Sequence, residues 1–427
     1  MSDQIEIQPT GPLNASIRPP GSKSITNRAL ICAALAEGES VLTGALDSED
    51  TGVMVAALQQ LGLRVVHDVS HSSIRVAGCG GVLPNNRADL DIANSGTTIR
   101  FLTATLATCQ GHFRLDGIAR MRERPIADLL AALEQLGGAA VSENANGCPP
   151  VVIPASGLRG GTARIRGNIS SQFLSGLLMA ASYARQPVVL AVEGELVSKP
   201  YVTMTLGVMS AFGIEVAAET LERFVIPTSR YRGCHYDIEP DASAASYFWG
   251  AAAVTGGTVR VQGLHRQALQ GDVAFCECLA QMGCDIEYGS DHITVKGNSL
   301  RGITVDMNAI SDTAQTLAVV ALFAEGPTTI TGVAHIRHKE TDRVGDLARE
   351  LRKLGAKVDE FEDGLTVTPQ TLRPATLDTY NDHRMAMSFA VAGLKSPGVV
   401  INDPDCTRKT YPNFFDDLFG LTRGSVT

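Results

Sequence analysis

Lysine and arginine recur in short strips rich in glycine, serine and asparagine along an otherwise acidic chain. Lys23 and Arg28 lie in P-P-G-S-K-S-I-T-N-R, Arg100 closes N-S-G-T-T-I-R, and Arg124 closes R-M-R-E-R. Lys339 and Arg343 lie in H-K-E-T-D-R, Arg384 in N-D-H-R-M, and Lys409 in C-T-R-K-T-Y-P. Glycine and serine let backbone N–H groups close on an anion, and lysine and arginine neutralise it. So many strips of one kind point to one pocket for a small, multiply anionic substrate. Nucleic acid is the poorer reading, because the net charge is -9 and no basic run or aromatic interleaving appears.

Composition frames that pocket. A chain of 427 residues is too long for one core, so two domains are expected. The N-terminus, M-S-D-Q-I-E-I-Q, lacks the basic start and apolar core of a signal peptide. Apolar runs such as 29–36 and 317–324 are too short to span a bilayer. The nine cysteines are scattered singly, apart from Cys276, Cys278 and Cys284. The spacing of that trio does not suit zinc, so the three read as buried apolar thiols. The expectation is a monomer in a reducing cytoplasm, with no membrane or nucleic-acid partner.

The elements that must position the strips repeat. One phrase is an amphipathic helix, then Leu/Phe/Met-Gly, then two strands joined by a turn. It recurs at Gly62, Gly137, Gly213, Gly283 and Gly355, at steps of 70–76 residues. Each of these glycines fits a helix C-cap in the left-handed conformation. A second phrase interleaves with it: an almost wholly apolar helix, a turn and a β-branched strand. S-Y-F-W-G-A-A-A-V-T-G-G-T-V-R-V-Q-G is one of six copies. A helix apolar all round has to be buried. The predicted unit is a buried helix, a strand, an outer helix and two more strands, repeated six times.

The sixth copy is incomplete. Its outer helix, 413–421, ends near the C-terminus, whereas the N-terminal Ile5-Glu-Ile-Gln alternates like a strand that lacks its helix. The two termini are therefore expected to join in one domain, residues 1–20 with 240–427. Residues 21–239 make the other, with three units in each and the site in a cleft between them.

The polar strips fall at the N-termini of the buried helices: Ser24/Arg28, Gly96/Arg100, Ser170-Ser171-Gln172, Asp241/Ser243, Ser311-Asp312 and Asp382-His383-Arg384. Serine, aspartate and asparagine also cap helices, and for Asp241 and Asp382 capping and function stay open. Capping does not explain the cations, which are unfavourable at a positive helix end unless an anion binds there. Lys339, Glu340 and Arg343 read as site residues. Asp342 reads as a salt-bridge or capping partner, and Asp346, Arg349 and Glu350 as a solvated helix start of mixed charge.

These strips resemble the motifs of the 5-enolpyruvylshikimate-3-phosphate synthases. P-G-S-K-S-I-T-N-R-A-L, N-S-G-T-T-I-R, R-M-R-E-R-P-I, S-S-Q-F-L-S-G-L-L, S-K-P-Y and H-K-E-T-D-R carry the likeness. So do D-A-S-A-A-S-Y-F, N-D-H-R-M-A-M and D-P-x-C-T-x-K-T-Y-P, in order from about residue 5 to residue 416. The resemblance implies an α/β fold of the enolpyruvyl transferase type. That is a two-domain inside-out α/β barrel, six βαβαββ-like repeats with helices inside and sheets outside. It implies transfer of the enolpyruvyl group of phosphoenolpyruvate to the 5-hydroxyl of shikimate 3-phosphate, in aromatic amino acid biosynthesis. No metal or organic cofactor is expected, and the family is the target of glyphosate.

Residue by residue, the resemblance puts shikimate 3-phosphate against Lys23, Ser24, Arg28, Ser170, Ser171, Gln172, Ser198, Asp312, His335 and Lys339. Phosphoenolpyruvate would meet Lys23, Gly96, Arg124, Gln172, Arg343, Arg384 and Lys409. Arg100 reads as structural support. His335 stands where relatives often carry Asn, Phe101 where Pro is frequent and Ser95 where Ala is frequent. The addition–elimination needs a base at the hydroxyl and an acid at the methylene carbon. Asp312 is the candidate base, and Glu340 and Lys23 are candidates for the other proton transfers. For His383 a structural hydrogen bond and proton transfer stay open. UDP-N-acetylglucosamine enolpyruvyl transferase is the alternative enzyme, but its loop carries a reactive cysteine that G-I-A-R-M-R-E-R-P lacks. A non-catalytic anion-binding protein is the alternative of another class. It would need the cations but neither Asp312 nor Glu340.

Overall fold

The computed structural model describes residues 3–423. The outermost positions of the expected domain range, 1–2 and 424–427, lie outside the described residues. The chain forms two compact units. One combines the segment up to Pro20 with that from Glu239 onward, and the other is Gly21–Ile238.

Among the described residues each unit holds three sheets built to one plan. In Gly21–Ile238 the plan is complete from Arg87 to Ser156. Strand Arg87–Asp91 leads into the buried helix Gly96–Ala107 and returns parallel as Gln110–Asp116. The outer helix Ala127–Gln135 follows, and strands Val141–Ser142 and Val151–Ser156 complete the sheet antiparallel. The same order, two parallel strands and then two antiparallel ones, recurs in four other sheets.

The sixth sheet has three strands and is closed by the N-terminal strand. Gln4–Ile7 runs antiparallel to Val399–Asn402, pairing Gln4 with Asn402 and Ile7 with Val399. The next strand, Asn14–Ile17, pairs parallel with Thr258–Gln262. Both N-terminal strands thus belong with the C-terminal half. The last helix, Phe414–Thr422, is shifted one residue toward the C-terminus from the expected 413–421.

The buried helices are buried because their sequences leave no polar face. Every residue of Gly96–Ala107 and of Ala242–Thr255 is buried. Small residues let such helices meet. A Cβ on Gly250 would lie 3.2 Å from Thr316 and 3.7 Å from Val391, so this glycine sits where three helices converge. Hydroxyls link the same three: Ser246 to Thr316 at 3.1 Å and Thr316 to Ser388 at 3.4 Å. In the other unit a Cβ on Gly176 would lie 3.0 Å from the Arg100 carbonyl oxygen. These close crossings fix the helix N-termini, which carry the polar strips.

The outer helices end as their glycines require. Gly62, Gly137, Gly213, Gly283 and Gly355 all have positive φ, between 78° and 111°. At Gly62 a side chain would also collide with Pro84, whose Cβ lies 2.8 Å from the position a Cβ would take. Cys276, Cys278 and Cys284 are buried free thiols, and burial pushes the pKa of each upward.

Candidate active site

In the unit Gly21–Ile238 the strips gather at the starts of three buried helices. Ser22, Ser95 and Ser170 each cap one, accepting from the N–H of Ile25, Thr98 and Gln172. Lys23 is the first residue of Lys23–Leu35, Gly96 of Gly96–Ala107 and Ser171 of Ser171–Ala181. Ser198 precedes the helix Lys199–Ala211 in a left-handed conformation, φ 53°, and is buried.

Two arginine centres tie these helices together. Arg28 donates to the Thr205 hydroxyl at 2.7 Å, the Ser24 carbonyl at 2.8 Å, and the Ser175 hydroxyl and Tyr201 carbonyl at 3.2 Å each. Its guanidinium stacks over Phe101 and Tyr201. Arg100 donates to the Gln172 side chain at 2.5 Å, and Gln172 donates to the Thr97 hydroxyl at 3.2 Å. Arg124 donates to the carbonyl and the side-chain oxygen of Asn94. A Cβ on Gly96 would lie 2.5 Å from Arg124 and 2.9 Å from Arg100. Glycine there lets both guanidiniums approach a helix N-terminus, where only an anion makes two cations comfortable.

In the other unit the predicted residues converge on two carboxylates. Asp312 lies in the 3-10 turn Asn308–Thr313 ahead of the helix Ala314–Val320. Lys339 donates to its Oδ1 at 2.5 Å and Arg343 at 3.3 Å, and Arg384 donates to its Oδ2 at 2.7 Å. Glu340 lies 2.8 Å from Arg343 and 3.7 Å from Lys409. The strip 339–343 is loop, since the helix starts only at Gly345. Asp342 accepts from the N–H groups of Val344 and Gly345 and pairs with Arg337.

Asp382 does two jobs. It caps the helix His383–Gly393 by accepting from the Arg384 N–H at 2.9 Å, and it grips Arg343 through both oxygens, at 2.6 and 3.1 Å. Asp241 caps its helix too, accepting from the Ala244 N–H at 3.0 Å. His383 is buried with its Nδ1 3.6 Å from Asp382. His335 shares a 2.9 Å hydrogen bond with the Ser311 hydroxyl.

Electrostatics divide these groups. Burial opposes the charge on Asp312, but Arg384, Lys339 and Arg343 outweigh it and hold the carboxyl well below the usual range. Burial lowers the Lys339 ammonium, Arg343 and Arg384 lower it further, and Asp312 resists. Burial and then the charge of Lys339 push His335 down to about 3, so the imidazole is neutral at pH 7. Such a cluster can bind anions by exchanging its own carboxylates for them.

Sequence reading missed several partners. For Asp382 capping and function stayed open, and its hold on Arg343 spans 39 residues with no local pattern. Thr205 and Ser175, which hold Arg28, lie 177 and 147 residues away from it. A buried arginine needs several acceptors, so hydroxyls on apolar helices were the available signal.

The arrangement has known counterparts. A family profile described as EPSP synthase (3-phosphoshikimate 1-carboxyvinyltransferase) matches residues 7–418. The 3-phosphoshikimate 1-carboxyvinyltransferase of Nostoc punctiforme is 49% identical over 423 residues, covering 98% of this chain and 99% of its own. That of Shewanella amazonensis is 46% identical and covers 99% of both chains. Among solved structures, an EPSP synthase from Acinetobacter baumannii superposes with a TM-score of 0.81 at 26% identity, covering 97% of each chain. The enolpyruvyl transferase NikO from Streptomyces tendae shares the fold, with a TM-score of 0.77 at 21% identity over 97% of this chain and 96% of its own. Likeness of this depth runs from the first strand into the last helix and takes in both arginine centres and the Asp312 cluster, and on it the chain belongs to the EPSP synthase family.

Proposed function

We propose that the chain transfers the enolpyruvyl group of phosphoenolpyruvate to the 5-hydroxyl of shikimate 3-phosphate, releasing phosphate, on the route to chorismate and the aromatic amino acids. The observation that carries the residue roles is the convergence of Lys339, Arg343 and Arg384 on Asp312. In this reading residues 21–239 and residues 1–20 with 240–427 are two domains that act on the same pair of substrates. Lys23, Ser24, Arg28, Ser170, Ser171, Gln172, Ser198, Asp312, His335 and Lys339 serve shikimate 3-phosphate. Lys23, Gly96, Arg124, Gln172, Arg343, Arg384 and Lys409 serve phosphoenolpyruvate. Nine free thiols suit a reducing cytoplasm.

The chemistry follows from the charges. The 5-hydroxyl oxygen bonds to C2 of phosphoenolpyruvate as its proton passes to Asp312, and the methylene carbon takes a proton from Glu340 or Lys23. The resulting ketal loses phosphate from C2, and its methyl group gives up a proton to restore the double bond. With three cations upon it, Asp312 is a poor base. Substrate anions that take over Arg384, Arg343 and Lys339 relieve it of that field and raise its proton affinity. The same cations then stabilise charge on the departing phosphate. The base is thus freed by the substrate it serves.

Phosphate release on mixing the two substrates tests the reading. Release with both, and none with either alone, is the expected result. Binding of both without release would leave only an anion-binding protein.

A further inference from the structure

Glu350 lies on the helix Gly345–Lys353, outside every anion-binding strip, and none of it is exposed. It accepts from the Tyr380 hydroxyl at 2.6 Å and the Asp378 backbone N–H at 2.9 Å, and Lys353 lies 2.8 Å from it. Lys353 also donates to Asp378 at 2.7 Å. Arg349 donates to the Tyr380 hydroxyl at 3.2 Å and stacks over its ring. Asn402 donates to the other oxygen of Asp378 at 2.6 Å. One turn of helix therefore grips two residues of one loop.

The gripped loop is strained. Tyr380 and Asn381 both take left-handed backbone conformations, each with φ 54°. Asparagine tolerates this, but tyrosine does so only where its surroundings over-determine it. The next residue is Asp382, which caps the Arg384 helix and grips Arg343. Arg343 in turn lies just ahead of the helix that carries Glu350. Helix and loop are thus tied twice, at the Arg343–Asp382 pair and at Glu350.

We infer that Glu350 is a positioning residue, which holds the left-handed turn that aims Asp382 and, through Asp382, the guanidinium groups of Arg343 and Arg384. The inference rests on the functional reading above for the identity of the anion, but not for the geometry. A released turn lets Asp382 drift, Arg343 loses its bidentate partner, and the Arg384 helix loses its cap. Both arginines then sit less well on the incoming anion, while the groups of the other unit are untouched.

Two measurements test this on the full-length protein: steady-state kinetics with each substrate varied, and hydrogen exchange at the Arg343 Nε–H followed by NMR. Glu350→Ala should raise the KM for phosphoenolpyruvate about tenfold, leave that for shikimate 3-phosphate within about twofold, and speed the exchange. The KM effect should vanish in an Asp382→Asn background, since both act through one carboxylate. Glu350→Gln keeps an acceptor oxygen and should recover most of the loss. If Glu350→Ala does not fold, Tyr380→Phe should show the same pattern at smaller size. Unchanged exchange in the variants would overturn the inference. So would kcat and both KM values worsening together, with the effect multiplying onto Asp382→Asn. If the wild type releases no phosphate, the functional reading fails, and the exchange rates still decide the role of Glu350.

Discussion

Arg28 and Arg343 are buried alike, 1% and 2% exposed, and are held in opposite ways. Arg28 is surrounded by hydroxyls, carbonyls and two rings. Burial lowers its pKa to about 10, so it keeps its charge at neutral pH. Burial also works against the charge on Arg343, but Asp382, Glu340 and Asp312 reverse it and raise the pKa. One arginine is solvated by dipoles and keeps its charge on offer. The other is matched by carboxylates, and an anion reaches it only by displacing one. Asp312, with 14% of its side chain exposed, is better placed to yield than Asp382, with none. The dipole-held arginine suits plain binding, and the carboxylate-held one suits binding coupled to proton transfer.

The sharpest break in that contrast would come from kinetics. Asp312→Asn should lower kcat by about 10²–10⁴ with little change in the KM for shikimate 3-phosphate, because it removes the proposed base and keeps the shape. Arg28→Lys should do the reverse. It should leave kcat nearly intact and raise that KM by roughly 10–100-fold, the loss of a charge-assisted fork contact. Normal turnover in Asp312→Asn would end the distinction.

Stability gives the next largest effect. Arg343→Met leaves three carboxylates facing one another, one of them fully buried, and should cost about 3–5 kcal/mol in urea unfolding. Arg28→Met should cost about 1–3 kcal/mol. The neutral groups around Arg28 also satisfy each other, since the Thr205 hydroxyl lies 2.8 Å from both the Ser175 hydroxyl and the Tyr201 carbonyl oxygen. Equal costs would show that charge matching is not what separates the two arginines.

The smallest effect is a pH slope. His335 has a folded pKa of about 3 against an ordinary 6.5, so between those values the unfolded chain binds the extra proton. Stability should therefore be lost as the pH is lowered through this window, by about 1.4 kcal/mol per unit. Asp312, held below 3.8, adds stability that is full above that value and is lost only at still lower pH. Urea unfolding between pH 6.5 and 5 isolates the histidine, and His335→Asn should flatten the curve there. An unchanged slope in that variant would remove His335 as its source.

Much of this was legible in the residues. The left-handed glycines announced the outer helices, and the featureless apolar helices announced their own burial. The orphan strand at the N-terminus pointed to the incomplete repeat at the other end. Arg384 stood out because capping could not account for its charge, and Lys339, Arg343 and Lys409 because they lie in strips of the same kind. Glu350 could not be read. In G-D-L-A-R-E-L-R-K it has the spacing of a solvated face, and only the loop at 378–380, brought over it by the fold, makes that face interior. Periodicity reports which side of a helix is polar. It does not report whether something polar lies against it.

The pairing of Gln4–Ile7 with Val399–Asn402 has a consequence for how the molecule is made. On the ribosome the first strand emerges long before its partner, and the second waits for Thr258–Gln262. At the usual pace of translation the first strand stays unpaired for roughly 20–80 s. Gly21–Ile238 has its three sheets complete within itself by then and can fold while synthesis continues. The N-terminal segment is short, and Gln4 and Glu6 break its apolar character, which suits a strand edge that must stay free of other chains until its own arrives.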